Sequence, residues 1–266
     1  MPLLHLILVA LVQGITEFLP VSSSGHLVLV PLVTGYEDQG LAVDVAVHVG
    51  TLVAVIAYFR GEVALALQGL VDLTARRPTP AARLALGLVV ATIPVVLLGL
   101  VLQVSGLDEA MRSLAVIGWA MLVFGVVLWW ADRFPERRGD ADWSLRDALV
   151  MGLWQAVALI PGTSRSGITI TGARALGFER RSAARLSMLM SIPTIIAAGS
   201  LLGLEALTTP HDAGFWRDLG IAALLSGVSA FVALSLMMRL LRSVSFTPYV
   251  IYRIVLGAAL LLWAYA

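Results

Sequence analysis

The chain predicts an all-α polytopic membrane protein, with six transmembrane helices and two re-entrant helix–loop–helix hairpins in an inverted-topology repeat. Three observations predict it. Of 266 residues, 59% are hydrophobic and only 13% charged, whereas a soluble domain carries about 25% charged residues; the mean hydropathy is +0.92. Six apolar runs reach the roughly 20 residues that a spanning helix needs. Two further apolar regions are interrupted midway by Pro, Gly and hydroxyl residues. A soluble enzyme, a disordered chain and a nucleic-acid binder with a basic face are excluded by these numbers.

The first apolar region, Pro2–Thr34, is broken by Pro20-Val21-Ser22-Ser23-Ser24-Gly25. Its two pieces are each too short to cross a bilayer alone. Irregular backbone at membrane depth is tolerated only where protein buries it or water reaches it, so the region reads as a re-entrant hairpin. Its start, Met1 to Val12, lacks a basic n-region and a small-residue cleavage site, so no cleaved signal peptide is expected. Three spans follow at Leu41–Phe59, Leu84–Val104 and Ser113–Ala131. A charged segment from Arg133 to Arg146 reads as a solvated loop. The second broken region, Asp147–Gly172, is interrupted by Pro161-Gly162-Thr163-Ser164-Arg165-Ser166-Gly167, and spans at Leu186–Leu204, Leu219–Met238 and Pro248–Tyr265 complete the chain.

There is no Lys, and the 18 basic residues are all Arg; their positions fix sidedness. If each hairpin returns to the side it entered, Arg60, Arg76, Arg77, Arg83, Arg133, Arg137, Arg138, Arg146, Arg174, Arg180, Arg181, Arg185, Arg239 and Arg242 share one face. Only Arg112 and Arg217 fall on the other. The positive-inside rule makes the rich face cytoplasmic and places both termini outside. The halves, approximately 1–131 and 147–266 of a single membrane domain, also match: at an offset of 142 residues Gln13 meets Gln155, Ser22 meets Ser164, Ser24 meets Ser166 and Gly25 meets Gly167. With three spans per half, the two hairpins enter from opposite faces and meet near the midplane.

Absence of Cys and Lys excludes thiol nucleophiles, a phosphate-loop lysine and Schiff-base chemistry. What remains inside the bilayer is concentrated at the breaks. Glu17 is the acidic residue deep in the membrane, one helical turn from Gln13, and an intramembrane carboxylate is a functional candidate by default. It could bind a cation, act as a base or carry a proton. Ser22, Ser23, Ser24 and Gly25 offer hydroxyls and backbone N–H groups to an anion, or a cap to the following helix. His26 lies beside them. Ser164, Ser166 and Gly167 repeat the pattern around Arg165, which meets either an anion or Glu17. Asp44 and His48 form a weak i, i+4 pair that suits a helix end or a cavity wall. Arg253 is a snorkelling residue or part of the site. His5 and His211 read as peripheral, and Trp129, Trp130, Trp143, Trp216 and Trp263 as interfacial belts.

The segments Gln13-Gly14-Ile15-Thr16-Glu17-Phe18-Leu19-Pro20-Val21-Ser22-Ser23-Ser24-Gly25-His26 and Pro161-Gly162-Thr163-Ser164-Arg165-Ser166-Gly167 resemble the two signature motifs of the bacterial undecaprenyl-diphosphate phosphatases of the bacitracin-resistance (BacA/UppP) family. The resemblance extends to Phe246-Thr247-Pro248-Tyr249-Val250-Ile251-Tyr252-Arg253. It implies hydrolysis of a C55 isoprenyl diphosphate to the monophosphate and phosphate, recycling a lipid carrier for cell-wall synthesis in the bacterial plasma (inner) membrane, with a divalent cation (Mg2+ or Ca2+) assisting. Carried over, Glu17 is the acidic motif residue, a metal ligand or base, Ser23 the nucleophile, His26 its acid–base partner and Arg165 the phosphate clamp. Gln13, Ser22, Ser24, Gly25, Ser164, Ser166 and Gly167 would line the phosphate site. Gln13 stands where the family has Glu or Gln, and Arg185 where many members have Glu.

The expected reaction is attack by Ser23 with His26 accepting its proton, or attack by a water that Glu17 or the metal activates. With the first hairpin entered from outside, catalysis faces the periplasm or exterior. Expected partners are the polyprenyl diphosphate lipid and the membrane, with no nucleic acid; a homodimer is compatible with the resemblance. The rival is a secondary transporter or lipid flippase on the same repeat.

Overall fold

The computed structural model describes residues 2–107, 111–207 and 213–266, and among them every regular element is a helix. In order these are α1 (Leu3–Phe18), α2 (Ser23–Thr34), α3 (Leu41–Tyr58), α4 (Arg60–Thr74), α5 (Pro80–Ser105), α6 (Leu114–Ala131), α7 (Leu145–Val157), α8 (Arg165–Ala175), α9 (Arg180–Leu207), α10 (Ala213–Leu240) and α11 (Thr247–Tyr265). A 3-10 turn at Asp140–Asp142 precedes α7. His211 lies outside the described residues.

Six helices, α3, α5, α6, α9, α10 and α11, are long and apolar enough to cross a membrane, and they coincide with the six expected spans. Three begin several residues earlier than hydropathy alone suggests, α10 by six residues at Ala213. α5 starts at Pro80 because Thr79 caps it, its hydroxyl accepting from Ala82 N at 3.0 Å, and Pro is favoured at a first helical position. α9 starts at Arg180 because its charged first turns face carboxylates rather than lipid. The four helices flanking the two breaks have 16, 12, 13 and 11 residues. At 1.5 Å per residue even α1 covers only about 24 Å, short of a core of about 30 Å. Large apolar side chains such as Leu97, Leu224 and Leu262 point outward, where lipid rather than water is the fitting solvent.

α4 was not expected. Glu62, Gln68 and Asp72 interrupt its apolar residues, so it reads as neither span nor hairpin, yet it forms and packs along α5. Elsewhere α1 and α3 pack on α10, α7 packs on α5, α6 on α11, and α8 lies against α6, α7 and α9. Phe18, Val55, Leu128, Met151, Phe178 and Met190 belong to the core between them. α3 and α10 touch through glycine: a Cβ on Gly50 would lie 2.1 Å from the Ala223 carbonyl oxygen, and one on Gly227 would lie 3.0 Å from the Gly50 carbonyl oxygen. Small residues permit such backbone approach in helix pairs. Gly50→Leu must separate the helices, an overpacking cost of about 3 kcal/mol or more. The expected result is a thermal midpoint in detergent lower by about 5–10 °C, and an unchanged midpoint would refute the contact.

The segment between α6 and α7 is not the simple solvated loop that its charge suggested. Asp132 and Asp147 are buried. Fully buried Arg174 reaches the Asp132 carboxylate at 3.4 Å, and Arg180 binds Asp132 and Glu136, each at 2.7 Å. Arg185 pairs with Glu62 and, at 2.7 Å, with Asp140, tying α9 to α4 and to the 3-10 turn. Arg138 grips both Asp147 oxygens, at 2.9 and 2.6 Å. Asp147 also closes a capping box with Ser144 at the start of α7. His5 is likewise not peripheral but buried edge-on to Tyr36, and Trp143 lies over Gly87 of α5.

Burial pushes the Asp147 carboxyl up, but the bonds from Arg138 and Ser144 outweigh it and hold it below the ordinary carboxylate range. A depressed carboxylate stabilises above its unfolded value, near about 4, and that stability is lost as the pH falls through the lower folded value. Asp147→Asn should therefore lower the neutral-pH midpoint by roughly 2–4 °C for each kcal/mol removed. The gap to the parent should close as the pH drops below about 4. A gap that widened in acid would contradict the assignment.

Candidate active site

Each break is built the same way. α1 ends because Pro20 forces Leu19 into extended backbone, with φ −69° and ψ 142°. The chain then turns through Ser22, at φ 74°, into α2. After α7 it turns through Gly162 and then Ser164, at φ 70°, into α8. Ser22 and Ser164 occupy the left-handed region without being glycine, a strain that persists only where surroundings enforce it. Their hydroxyls pair two residues onward, Ser22 with Ser24 at 3.3 Å and Ser164 with Ser166 at 3.1 Å. Ser164 also caps α8, accepting from Gly167 N at 3.1 Å, and the Ser166 hydroxyl crosses to the first break, donating to the Leu19 carbonyl at 3.0 Å.

The two breaks meet at Glu17, which is 8% exposed. Its Oε2 accepts from the Ser23 hydroxyl at 2.7 Å and from Gln13 Nε2 at 2.9 Å. Its Oε1 accepts from Arg165 Nη2 at 3.2 Å, while Arg165 Nη1 donates to the Ser187 carbonyl at 3.1 Å. Thus Arg165, 142 residues after Ser23, arrives on the opposite side of one carboxylate. His48 Nε2 stands 3.9 Å from Glu17 Oε2. Gln13 Oε1 is buried with no protein partner.

His26 does not bond Ser23. Its Nδ1 lies 2.7 Å from the Ser22 carbonyl oxygen, which can only accept, so Nδ1 carries a proton. Its Nε2 then accepts from the Tyr252 hydroxyl at 2.6 Å, with the two rings parallel, 5.6 Å between centroids. The expected Ser23–His26 pair gives way because Glu17 returns from α1 to take the serine proton and α11 delivers Tyr252 to the imidazole. Nor do Asp44 and His48 pair through their side chains: His48 Nδ1 bonds the Asp44 backbone carbonyl, and the Asp44 carboxylate accepts from Gln39.

Of the residues singled out in the sequence, Gln13, Glu17, Ser23 and Arg165 share one cluster, flanked by His26. Ser22, Ser24, Ser164 and Ser166 shape the turns. Gly25 leaves room for Ile117, and Gly167 for Arg253. His48, Tyr252 and Arg253 join the site from α3 and α11. Arg253 does not snorkel; it is fully buried. Its advance signals were a charge within an apolar span and its place at the end of the Phe246–Arg253 segment. Among the described residues no group of three or more His, Asp or Glu gathers to form a protein-only metal centre.

Chemically, the cluster sets a hydroxyl against a buried carboxylate and a guanidinium beside them, the parts required for phosphoryl transfer by positioning and electrostatics. Comparison with known proteins agrees with this chemistry. A family model described as bacitracin resistance protein BacA matches residues 6–259. The undecaprenyl-diphosphatase of Ruegeria pomeroyi is 66% identical over the whole of both chains. That of Dinoroseobacter shibae is 61% identical over the same full coverage. That of Hahella chejuensis is 48% identical over 98% of each.

Proposed function

The chain belongs to the bacitracin resistance protein BacA family, and on that premise we propose that it hydrolyses undecaprenyl diphosphate to undecaprenyl phosphate and inorganic phosphate at the Glu17–Ser23–Arg165 cluster. The observation that carries the reading is one buried carboxylate holding the Ser23 hydroxyl at 2.7 Å and the Arg165 guanidinium at 3.2 Å. Ser23 Oγ attacks the terminal phosphorus while Glu17 accepts its proton, the P–O bond to the bridging oxygen breaks, and undecaprenyl phosphate leaves. Water then cleaves the phosphoserine, releasing phosphate and restoring the hydroxyl. As Glu17 becomes neutral it loses its hold on Arg165, which is then free to bind the phosphoryl oxygens as their charge develops. His26 braces the break that carries Ser23 through the Ser22 carbonyl, its Nε2 accepting from the Tyr252 hydroxyl.

A divalent cation, Mg2+ or Ca2+, would be held by the diphosphate itself and the unpartnered Gln13 Oε1, and by Glu17 only while its carboxylate is deprotonated. It would neutralise charge on the phosphoryl oxygens.

The breaks are inferred to be re-entrant hairpins of an inverted repeat. Supporting this are the matched strain at Ser22 and Ser164, their matched hydroxyl pairs, and the corresponding contacts of α1 with α10 and of α7 with α5. With the arginine-rich face cytoplasmic, both termini and the first hairpin open to the exterior of the plasma membrane.

The test is phosphate release from undecaprenyl diphosphate by the purified protein, with and without Mg2+ or Ca2+. Release that depends on Glu17 supports the reading. Lipid movement in vesicles without any release would replace it with the transporter reading. Within this scheme Arg165→Lys keeps the charge but loses the fork, and should lower kcat/KM by about 10²-fold; an unchanged value would remove Arg165 from the reaction.

A further inference from the structure

Arg253 lies on α11, its side chain completely buried. Its Nε donates to the Met121 carbonyl at 3.3 Å, Nη1 to the Pro20 carbonyl at 3.4 Å, and Nη2 to the carbonyls of Ala120 at 3.4 Å and Gly162 at 3.2 Å. Pro20 belongs to the first break and Gly162 to the second. Among the described residues no carboxylate stands within ion-pair distance of this guanidinium. A buried cation without an anion is expensive, and four long carbonyl contacts compensate it only in part.

We propose that Arg253 is a positioning residue of the phosphatase site: one guanidinium ties the two breaks in register and keeps a standing positive charge beneath them for the substrate's phosphates. The proposal rests on the diphosphatase reading above. Ser23 and Arg165 each begin the helix after a break, so their separation across Glu17 depends on how the two turns are held together. The guanidinium fork suits that task because its donors are planar and fixed.

Two glycines make room for it. A Cβ on Gly167 would lie 2.8 Å from Arg253 Nη1, and one on Gly125 would lie 3.4 Å from the Arg253 Cβ. Gly167, whose N–H is held by Ser164 Oγ at 3.1 Å, therefore lets the charge pass under the second turn.

The experiment compares Arg253→Met, Arg253→Lys and Gly167→Ala with the parent. It reads kcat and KM for undecaprenyl diphosphate, the inhibition constant of inorganic phosphate, and the thermal midpoint. Arg253→Met should lower kcat and weaken phosphate inhibition by about tenfold or more, the scale of one charge-assisted contact. Arg253→Lys restores the charge without the fork, so phosphate inhibition should return to within about threefold of the parent while kcat stays low. Gly167→Ala leaves every charge in place and should lower kcat by displacing Nη1. A lowered midpoint with parental kinetics in all three variants would reduce Arg253 to a structural staple and overturn the proposal. Should Arg253→Met not fold, parental kinetics in the other two would overturn it equally. A parent that releases no phosphate sinks the diphosphatase reading instead.

Discussion

Replacing Glu17 by Gln should lower kcat by about 10³-fold, within the 10²–10⁴ range that a positioned general base supplies, while phosphate inhibition grows tighter rather than weaker. The two effects share one cause. Glu17 is the acceptor for the Ser23 proton at 2.7 Å and also the partner that occupies Arg165 at 3.2 Å. Gln keeps the size and can still hold the hydroxyl, but it cannot take the proton and no longer competes with an anion for the guanidinium. Steady-state kinetics with inorganic phosphate as inhibitor separates this from simple unfolding, which would lower activity without sharpening inhibition. A kcat within a fewfold of the parent would mean that the serine proton leaves by another route.

Ser23→Ala carries the other large effect, an expected loss of about 10⁴-fold or more in phosphate release, since no other hydroxyl contacts Glu17 among the described residues. Nucleophile and base act as a unit, so the Glu17→Gln, Ser23→Ala double variant should be scarcely worse than Ser23→Ala alone. Additive losses would indicate separate tasks. Near-normal release by Ser23→Ala would remove the covalent route and leave attack by water.

The helices were legible because their signals are local. Apolar length marked the six spans, and Pro20 and Pro161 with their glycines and serines marked the two breaks. α4 escaped because Glu62, Gln68 and Asp72 dilute its apolar residues while its stability comes from lying on α5. In the site, scarcity of charge singled out Glu17 and Arg165, and of the two partners expected for Arg165, an anion or Glu17, the structure shows Glu17. The proton partner of Ser23 was not legible. Ser23 and His26 are three apart on one helix, which suggests a shared face, but whether the imidazole or the carboxylate wins depends on where α1 and α11 arrive. His48, read as part of a helix end or cavity wall, and Tyr252, within the Phe246–Arg253 segment, were noticed, but not their contacts with Glu17 and His26, which depend on helix crossings that no spacing encodes.

The central claim is that Ser23, activated by Glu17, takes the terminal phosphate. It is tested most directly by a single turnover of undecaprenyl diphosphate labelled in that phosphate, quenched in acid and mapped to peptides. Label on Ser23 before free phosphate accumulates is the predicted result; a full burst of free phosphate with no label on the protein at any time would contradict it.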